Sequence, residues 1–314
     1  MREIKKIPIG SIGVLELTLP VIEFSGPAPG SRVVIIAGQH GNEVTPLFVI
    51  RQLVERLTQQ PLKSGVLTIV SVANPLGLLL GTREEPLDRE DLNRQAPGDP
   101  TKTLGKRIAA KLTDACKGAD LVIDLHAFNR QCAFTGVLIR TGDAVEKRAR
   151  TVLRAIQPDC VWLIDAMRQQ DQRFAGSLDI VLGVAGVPAV TLEMERHATL
   201  SDAGIIRVTD ALEQVLAMFG MLDVPTSIVG STSDIPMYVG NYLYFDTSGL
   251  FIPEQRVLGP VRNGQRLGTV TDLRTFEESK VSSPLDGTLL TVRFRDIVRT
   301  GAKLGSIGSL VGKL

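Results

Sequence analysis

Apolar and polar positions follow two periodicities along the first 225 residues of the chain. Continuous apolar runs predict strands that are buried on both faces, at residues 33–38, 65–74, 119–127, 160–165 and 187–195. Apolar residues spaced three and four apart predict helices at residues 44–60, 101–118, 143–157, 177–186 and 201–222, the last with Ser201 as its N-cap. Residues 14–24 alternate apolar and polar side chains, which indicates a strand near a sheet edge. This order predicts an α/β fold with a mainly parallel sheet covered by helices on both faces.

The pattern changes after residue 225. Helical spacing is absent from there on, and short apolar segments separated by Gly, Pro, Asn and Asp predict an all-β region. The stretch PTSIVGSTSDIP, at 225–236, has the composition of a linker. We therefore predict a large α/β domain at residues 1–225 and a small β domain at residues 226–314.

Composition narrows the class of partner. The net charge is +1 and the basic residues are scattered, which argues against a nucleic-acid or acidic-membrane partner. The longest apolar stretch is too short for a membrane span and carries Asp179. The cysteines form an odd, widely spaced set that indicates reduced thiols: Cys116, Cys132 and Cys160. MREIKKIPIG lacks the apolar segment of a signal peptide, so we expect a cytoplasmic protein.

Four side chains with metal and acid–base chemistry fall at the ends of predicted strands. His40 and Glu43 follow the first buried strand, His126 ends another, and Glu193 ends a third. Ligands in open α/β sheets bind beyond the carboxyl ends of the strands. Two histidines and one glutamate are the ligand set of catalytic zinc sites that keep a fourth position open.

A simpler interpretation exists for each histidine. His40 could be a hydrogen-bonded polar residue at a strand end, and His126 could be a buried histidine bonded to a neighbouring carboxylate such as Asp124. However, the chain has three histidines in all. Two of them at predicted strand ends favour a shared site over two unrelated ones.

Longer motifs give the chain a family resemblance. GQHGNEVTP, NPLGLLLGTREEPLDREDLNRQAPG, DLHA and TLEME, in this order, resemble the succinylglutamate desuccinylase/aspartoacylase family of the zinc carboxypeptidase superfamily. The resemblance covers most of the first 225 residues. The C-terminal GLFIP, GQRLGTV, VSSPLDGTLL and VRTGAKLGSIG resemble the barrel-sandwich β domain that many members carry.

The resemblance implies a ligand set and a base. His40, Glu43 and His126 would bind one Zn²⁺ per chain, and Glu193 would be the general base. Asp91 would accept a hydrogen bond from a ligand histidine and fix its tautomer. Glu195 lies two residues after Glu193, and in a strand it would face the same side.

The same resemblance assigns the cationic groups. Arg83 would polarise the scissile carbonyl and stabilise the oxyanion, and Asn93 with Arg94 would bind a substrate carboxylate. Arg89 lies closer to the DLNR motif than Arg83 does, but we expect it to be a solvated loop charge. His197 is expected at the surface or at the rim of the pocket.

The roles of several polar residues near these motifs remain open. Arg168, Asp171 and Arg173 could line the substrate site, although a mobile surface loop is the expectation, and Asn129 and Arg130 carry the same ambiguity.

The β domain also requires an assignment. A biotin or lipoyl carrier needs a lysine at a hairpin tip, where this chain has Arg274, and Lys280 is too close to the following strand. We therefore expect the β domain to shape the pocket or to mediate assembly. Three tyrosines lie near its start: Tyr238, Tyr242 and Tyr244. One of them could reach the substrate, but packing in the interior is the expectation.

These observations predict a zinc-dependent deacylase that cleaves the amide of an N-acyl amino acid or a related small molecule to a carboxylate and a free amine. A metallocarboxypeptidase that acts on peptides is the alternative enzyme, and a non-catalytic ligand-binding protein on the same scaffold is the alternative of another class. We expect a small-molecule substrate and no nucleic-acid or membrane partner, and the β domain leaves a homo-oligomer open. The residues do not specify the acyl group or the amine.

Overall fold

The computed structural model describes residues 1–165, 168–195, 201–224 and 234–314. The helices are α1 (Thr45–Gln59), α2 (Pro75–Leu80), α3 (Leu104–Cys116), α4 (Ala144–Ile156), α5 (Leu178–Val184) and α6 (Asp202–Met218). The first nine strands are β1 (Arg2–Ile12), β2 (Leu15–Ser25), β3 (Ala28–Ala37), β4 (Ser64–Val70), β5 (Leu121–Ala127), β6 (Gln131–Cys132), β7 (Thr135–Ile139), β8 (Cys160–Ile164) and β9 (Ala189–Met194). The C-terminal strands are β10 (Pro236–Tyr244), β11 (Gly249–Pro253), β12 (Pro260–Val261), β13 (Arg266–Thr271), β14 (Glu278–Ser282), β15 (Gly287–Val292), β16 (Asp296–Val298) and β17 (Lys303–Lys313).

Within the described ranges, one thirteen-stranded sheet runs through the whole molecule, in the order β1-β2-β4-β3-β5-β9-β7-β8-β10-β17-β15-β12 with β6 beside β15. Strands β4, β3, β5 and β9 are parallel neighbours. Strand β7 is antiparallel to β9 and parallel to β8. The expected α/β architecture with a mixed, mainly parallel central sheet is therefore confirmed.

The central strands are apolar throughout because both of their faces are covered. Val33 and Ile35 of β3 belong to one core, which α1, α4 and α6 cover, whereas Val34 and Ile36 belong to the opposite core, with α3 and α5. A strand buried on both faces has no reason to alternate polar side chains. The helices expected from the apolar spacing are all present, and Ser201 caps α6 by accepting a hydrogen bond from the Gly204 amide.

The C-terminal region is all β, as expected, but it is joined to the main sheet. Strand β10 pairs in parallel with β8 and antiparallel with β17. A second sheet, β14-β13-β11-β16, packs against the C-terminal strands of the main sheet, and the two share a core around Phe251, Leu267 and Leu289. The division at residue 225 stays a prediction, because residues 225–233 of the expected linker lie outside the described residues.

Several elements were not foreseen from the sequence, among them β1, β7 and α2. Strand β1 forms a long antiparallel hairpin with β2 at the sheet edge. Its two consecutive lysines interrupt the alternation of apolar and polar side chains that would have indicated a strand. Strand β7 is five residues long, and α2 is a six-residue helix in a segment that was matched only to a family motif. No helix within the described ranges is long and apolar enough to cross a membrane.

Gly240 permits the close contact between β10 and β8. A Cβ atom at this position would lie 2.2 Å from Cζ2 of Trp162 on β8. We expect Gly240→Ala to lower the free energy of unfolding by about 1–3 kcal/mol, because the buried indole must move. Chemical denaturation measures this loss.

Gly183→Ala is the matched control. Gly183 is a buried glycine of α5, and its added Cβ would meet nothing closer than 3.6 Å. A Gly240→Ala protein as stable as the Gly183→Ala protein would show that the β8–β10 contact tolerates a side chain.

Candidate active site

A tight turn carries His40 and Glu43 from the end of β3 to the site. The Glu43 amide donates to the His40 carbonyl at 3.1 Å. Gly41, between them, packs directly on α2, and a Cβ atom there would lie 1.9 Å from the carbonyl carbon of Gly77. Only glycine fits that approach, which explains the residue between the histidine and the glutamate.

Three donor side chains converge beside this turn. The Nδ1 atoms of His40 and His126 are 3.1 Å apart. Glu43 Oε1 lies 2.8 Å from His40 Nδ1, and Glu43 Oε2 lies 2.9 Å from His126 Nδ1. The ring centroids of the histidines are 4.8 Å apart, so the structure brings together the three residues that the sequence proposes as ligands.

Carboxylates hold the outer nitrogen of each histidine. His40 Nε2 lies 3.0 Å from Asp91 Oδ1, and His126 Nε2 lies 3.0 Å from Asp124 Oδ2. Asp124 also accepts a hydrogen bond from the Gln39 side chain at 2.6 Å. With Nε2 of each ring donating to a carboxylate, both Nδ1 lone pairs point towards the same place.

This donor set fits a divalent zinc ion. Bonds of 2.0–2.2 Å at tetrahedral angles separate two ligand atoms by about 3.4 Å. The observed separations are a few tenths of an ångström shorter, and all three ligand atoms lie within 4.8 Å of one another. His40, Glu43 and His126 can therefore hold one metal ion after small side-chain movements.

Neighbouring charges and hydrogen bonds lower the pKa values of two acids at the cluster. Burial alone would raise the pKa of Glu43, but the charges and hydrogen bonds of His40 and His126 outweigh it, so the pKa lies well below its usual range. For Asp91, burial is likewise outweighed by the hydrogen bond from His40 and by the charge of Arg83, and the pKa is lowered. Both acids are thus anionic at neutral pH, as suits a cation site.

Glu193 faces the same cavity from β9. Its Cα is the register partner of His126 on the parallel strand β5, so the two side chains lie on the same sheet face. Its Oε2 is buried and has no hydrogen-bond partner among the described residues. Burial, together with the negative charges of Glu43 and Asp124, raises the pKa of Glu193 to about 8, against the opposing effect of His126.

Arg83, rather than Arg89, is at the site. Its guanidinium donates to Glu43 Oε1 at 3.0 Å and to Asp91 Oδ2 at 3.1 Å. Arg89 is exposed, has a positive φ of 57° and does not line the cavity. The expectation of a solvated Arg89 is confirmed.

The Asn93–Arg94 turn is held from two sides. The backbone N–H of Asn93 donates to Asp91 Oδ1 at 3.0 Å. The side-chain oxygen Oδ1 of Asn93 accepts a hydrogen bond from the backbone N–H of Leu178, at the start of α5, also at 3.0 Å. These bonds leave the side-chain nitrogen Nδ2 of Asn93 facing the cavity, 3.5 Å from His126 Nε2. The Arg94 side chain donates to the Asn93 carbonyl, and its guanidinium lies over the Phe174 ring at 4.8 Å.

These groups line a cavity of about 360 Å³. Its wall includes Asn129 and Arg130, which the sequence left open, and Tyr242, which it assigned to packing. Three further residues of the wall were not singled out from the sequence: Phe128, Phe174 and Lys303. Tyr242 and Lys303 come from β10 and β17, so the C-terminal region contributes directly to the pocket. Nothing in the sequence marks Lys303 as a site residue, because it reaches the cavity through the pairing of β10 with both β8 and β17.

Other open assignments are resolved by the fold. Glu195 follows the end of β9 and lines a different, smaller cavity, with Cys132 and Arg207. The expected mobile polar loop contains a short 3₁₀ helix, Gln169–Phe174, in which Asp171 is buried. His197 lies outside the described residues.

Comparisons with known proteins agree with this geometry. The family model of the succinylglutamate desuccinylase/aspartoacylase catalytic domain matches residues 29–219. An N-alpha-acetyl-L-2,4-diaminobutyric acid deacetylase from Halomonas elongata is 22% identical over 91% of this chain and 84% of its own length. A succinylglutamate desuccinylase from Shewanella is 32% identical, over 28% of this chain and 26% of its own.

Solved structures show the same fold. The product-bound ectoine utilization protein EutE (DoeB) from Ruegeria pomeroyi has a TM-score of 0.83 at 20% identity, covering 98% of this chain and 94% of its own. A metallo-carboxypeptidase from Burkholderia cenocepacia has a TM-score of 0.56 at 16% identity, covering 70% of this chain and 64% of its own, which reflects the wider carboxypeptidase-like fold. The chain therefore belongs to the succinylglutamate desuccinylase/aspartoacylase family.

Proposed function

We propose that this protein is a zinc-dependent deacylase that hydrolyses the amide of a small N-acyl amino acid. The observation that carries the proposal is the convergence of His40 Nδ1, Glu43 and His126 Nδ1 within 4.8 Å, beside a buried glutamate and an arginine. The deacylases among its relatives support the reaction class.

His40, Glu43 and His126 would hold the metal ion. A zinc ion in such a site supplies Lewis acidity and lowers the pKa of a bound water to about 7. Asp91 and Asp124 keep the two imidazoles in the orientation that presents Nδ1 to the ion.

Glu193 is assigned as the general base. It takes a proton from the attacking water and returns it to the leaving amine nitrogen, which completes the cleavage. Its Oε2 has no hydrogen-bond partner among the described residues and is therefore free to accept that proton.

Arg83, Asn93 and Arg94 are assigned to the substrate. Arg83 has further N–H donors beyond those that hold Glu43 and Asp91, and it directs them at the carbonyl oxygen as negative charge develops there. The fixed Asn93 amide and the Arg94 guanidinium bind the α-carboxylate.

The cavity favours a small substrate over a peptide. Its volume is about 360 Å³, and Tyr242 and Lys303 from the C-terminal region form part of its wall. Such a volume suits an acylated amino acid better than an extended peptide.

The test of the proposed function combines metal analysis with a substrate panel. We expect purified protein to carry zinc at about one equivalent, to lose hydrolysis with a chelator and to regain it when zinc is added. N-acyl amino acids should be hydrolysed and peptides with free C-termini should not. Hydrolysis of peptides alone would instead identify a carboxypeptidase, and activity that survives complete metal removal would contradict the proposal.

Asp91→Asn isolates the effect of the carboxylate on His40. Asparagine can still cap the DLNR turn, but the negative charge next to His40 Nε2 is lost. We expect zinc affinity to fall about 10- to 100-fold, as measured by competition with a chelator. Glu84→Gln, at an exposed site in the same loop, should leave the affinity unchanged. Equal affinities of the two variants would remove Asp91 from the metal site.

Glu193→Gln tests the base. We expect kcat to fall about 10²- to 10⁴-fold, because glutamine cannot accept the proton, while zinc content stays the same. Glu195→Gln is the matched control, since Glu195 is two residues away but lines another cavity. A Glu193→Gln enzyme that retains most of its kcat would transfer the role of base to another group.

A further inference from the structure

Asp179, the second residue of α5, is a buried acid that none of the roles assigned above uses. It lines the cavity although its side chain is only 5% exposed. Its Oδ1 atom accepts hydrogen bonds from the Ser177 hydroxyl at 2.5 Å and from the Ile180 amide at 2.9 Å. Its Oδ2 atom accepts a hydrogen bond from the Thr191 hydroxyl of β9 at 2.8 Å. These bonds join the start of α5 to a strand of the central sheet.

The segment that leads into α5 also holds the Asn93–Arg94 turn. The Leu178 amide donates to Asn93 Oδ1, and the Ala96 amide donates to the Gly176 carbonyl, both at 3.0 Å. A Cβ atom on Gly176 would lie 2.1 Å from the Arg94 carbonyl oxygen, so the two backbones are in direct contact. The start of α5 and the turn therefore form one packed unit, and a shift of one would move the other.

The strand that Asp179 reaches is the strand of the proposed base. Thr191 and Glu193 lie two residues apart on β9, and both side chains line the cavity. A continuous connection thus runs from Asn93 through Leu178 to Asp179, and from Asp179 through Thr191 to the backbone of Glu193. This connection spans the cavity wall without passing through the metal ligands.

The relative position of Asn93 and Glu193 matters for the proposed reaction. Asn93 is assigned to the α-carboxylate, and Glu193 is assigned to the proton that reaches the leaving nitrogen, which is bonded to the same α-carbon. Both groups must therefore contact neighbouring parts of one small molecule. Misplacement of a substrate by about 1 Å can lower the rate by about 100-fold.

We propose that Asp179 is a positioning residue that ties the start of α5 to β9 and thereby fixes Asn93 relative to Glu193. The assignment rests on the proposed deacylase function, which gives Asn93 and Glu193 their roles. Asp179 acts through Thr191 and Leu178 and not by touching the substrate.

Two substitutions of Thr191 separate this role from packing. Thr191→Val keeps the branched shape but removes the hydroxyl that donates to Asp179, whereas Thr191→Ser keeps the hydroxyl and loses a methyl group. We expect kcat/KM for an N-acyl amino acid to fall about 10- to 100-fold in Thr191→Val and to stay within about threefold in Thr191→Ser. Packing alone predicts the opposite order, because serine leaves a gap in a buried place. Zinc content should be the same in both variants.

Hydrogen exchange tests the same tie without turnover. The Leu178 and Ala96 amides both donate across the contact between α5 and the turn. We expect them to exchange about 10-fold faster in Thr191→Val than in the unsubstituted protein, because the start of α5 opens more often. Mass spectrometry of the peptides that contain these amides measures the change, and Thr191→Ser should restore the slower exchange.

Thr291→Val is the matched control. Thr291 is a buried threonine of β15 whose hydroxyl lies 2.8 Å from Ser306 Oγ, and it is not among the described residues that line the cavity. The substitution removes an equivalent buried hydroxyl, so it should cost comparable stability. It should change neither kcat/KM nor exchange at Leu178 and Ala96.

The two measurements distinguish failure of this inference from failure of the proposed function. Exchange at Leu178 and Ala96 that is unchanged in Thr191→Val would overturn the tie, whether or not the protein is a deacylase. Faster exchange with an unaltered kcat/KM, or a lower kcat/KM in Thr191→Ser than in Thr191→Val, would overturn the positioning role and leave the deacylase intact. If the unsubstituted protein hydrolyses no N-acyl amino acid, the proposed function fails, and the positioning role fails with it even where exchange confirms the tie.

Discussion

Two imidazoles whose Nδ1 atoms lie 3.1 Å apart are the arrangement on which the rest of the site depends. Neutral rings would gain nothing from facing lone pair to lone pair in a buried place, so other groups must hold them there. Asp91 and Asp124 do so from the outside through Nε2, and the Glu43 carboxylate lies between the rings on the inside. The result is an arrangement of three carboxyl groups around two imidazoles, which a dication would complete.

The parallel pairing of β3, β5 and β9 determines where these groups meet. His126 and Glu193 are register partners on β5 and β9, and β3 ends beside them with the turn to His40. The turn can reach its position because Gly41 lies against Gly77 of α2, without a side chain between them. The site therefore follows from strand register and one close backbone contact rather than from a flexible loop.

Much of this site could be predicted from the sequence, because its ligands follow apolar runs that are easily recognised as strands. The simple interpretation of His126 also proved correct in part: it does contact Asp124, through the nitrogen that does not face His40. Lys303 could not be predicted, since its approach to the cavity depends on pairings between strands far apart in the chain. Tyr242 was assigned to packing alone for the same reason. Its ring does pack against Trp162, at 5.5 Å between centroids, but it also lines the cavity.

The division of labour within the chain has a physical basis. The region that matches the family model, residues 29–219, includes the His40–Glu43–His126 cluster, Glu193 and the Asn93–Arg94 turn, to which the proposed function assigns metal binding and catalysis. Lys303 and Tyr242 lie beyond that region, on strands that extend the same sheet. In the proposed reaction the amide would contact the first set, and Lys303 and Tyr242 would be left for outlying groups of the substrate. Changes in the C-terminal strands could then alter the shape of the pocket without disturbing the donor atoms of His40, Glu43 and His126.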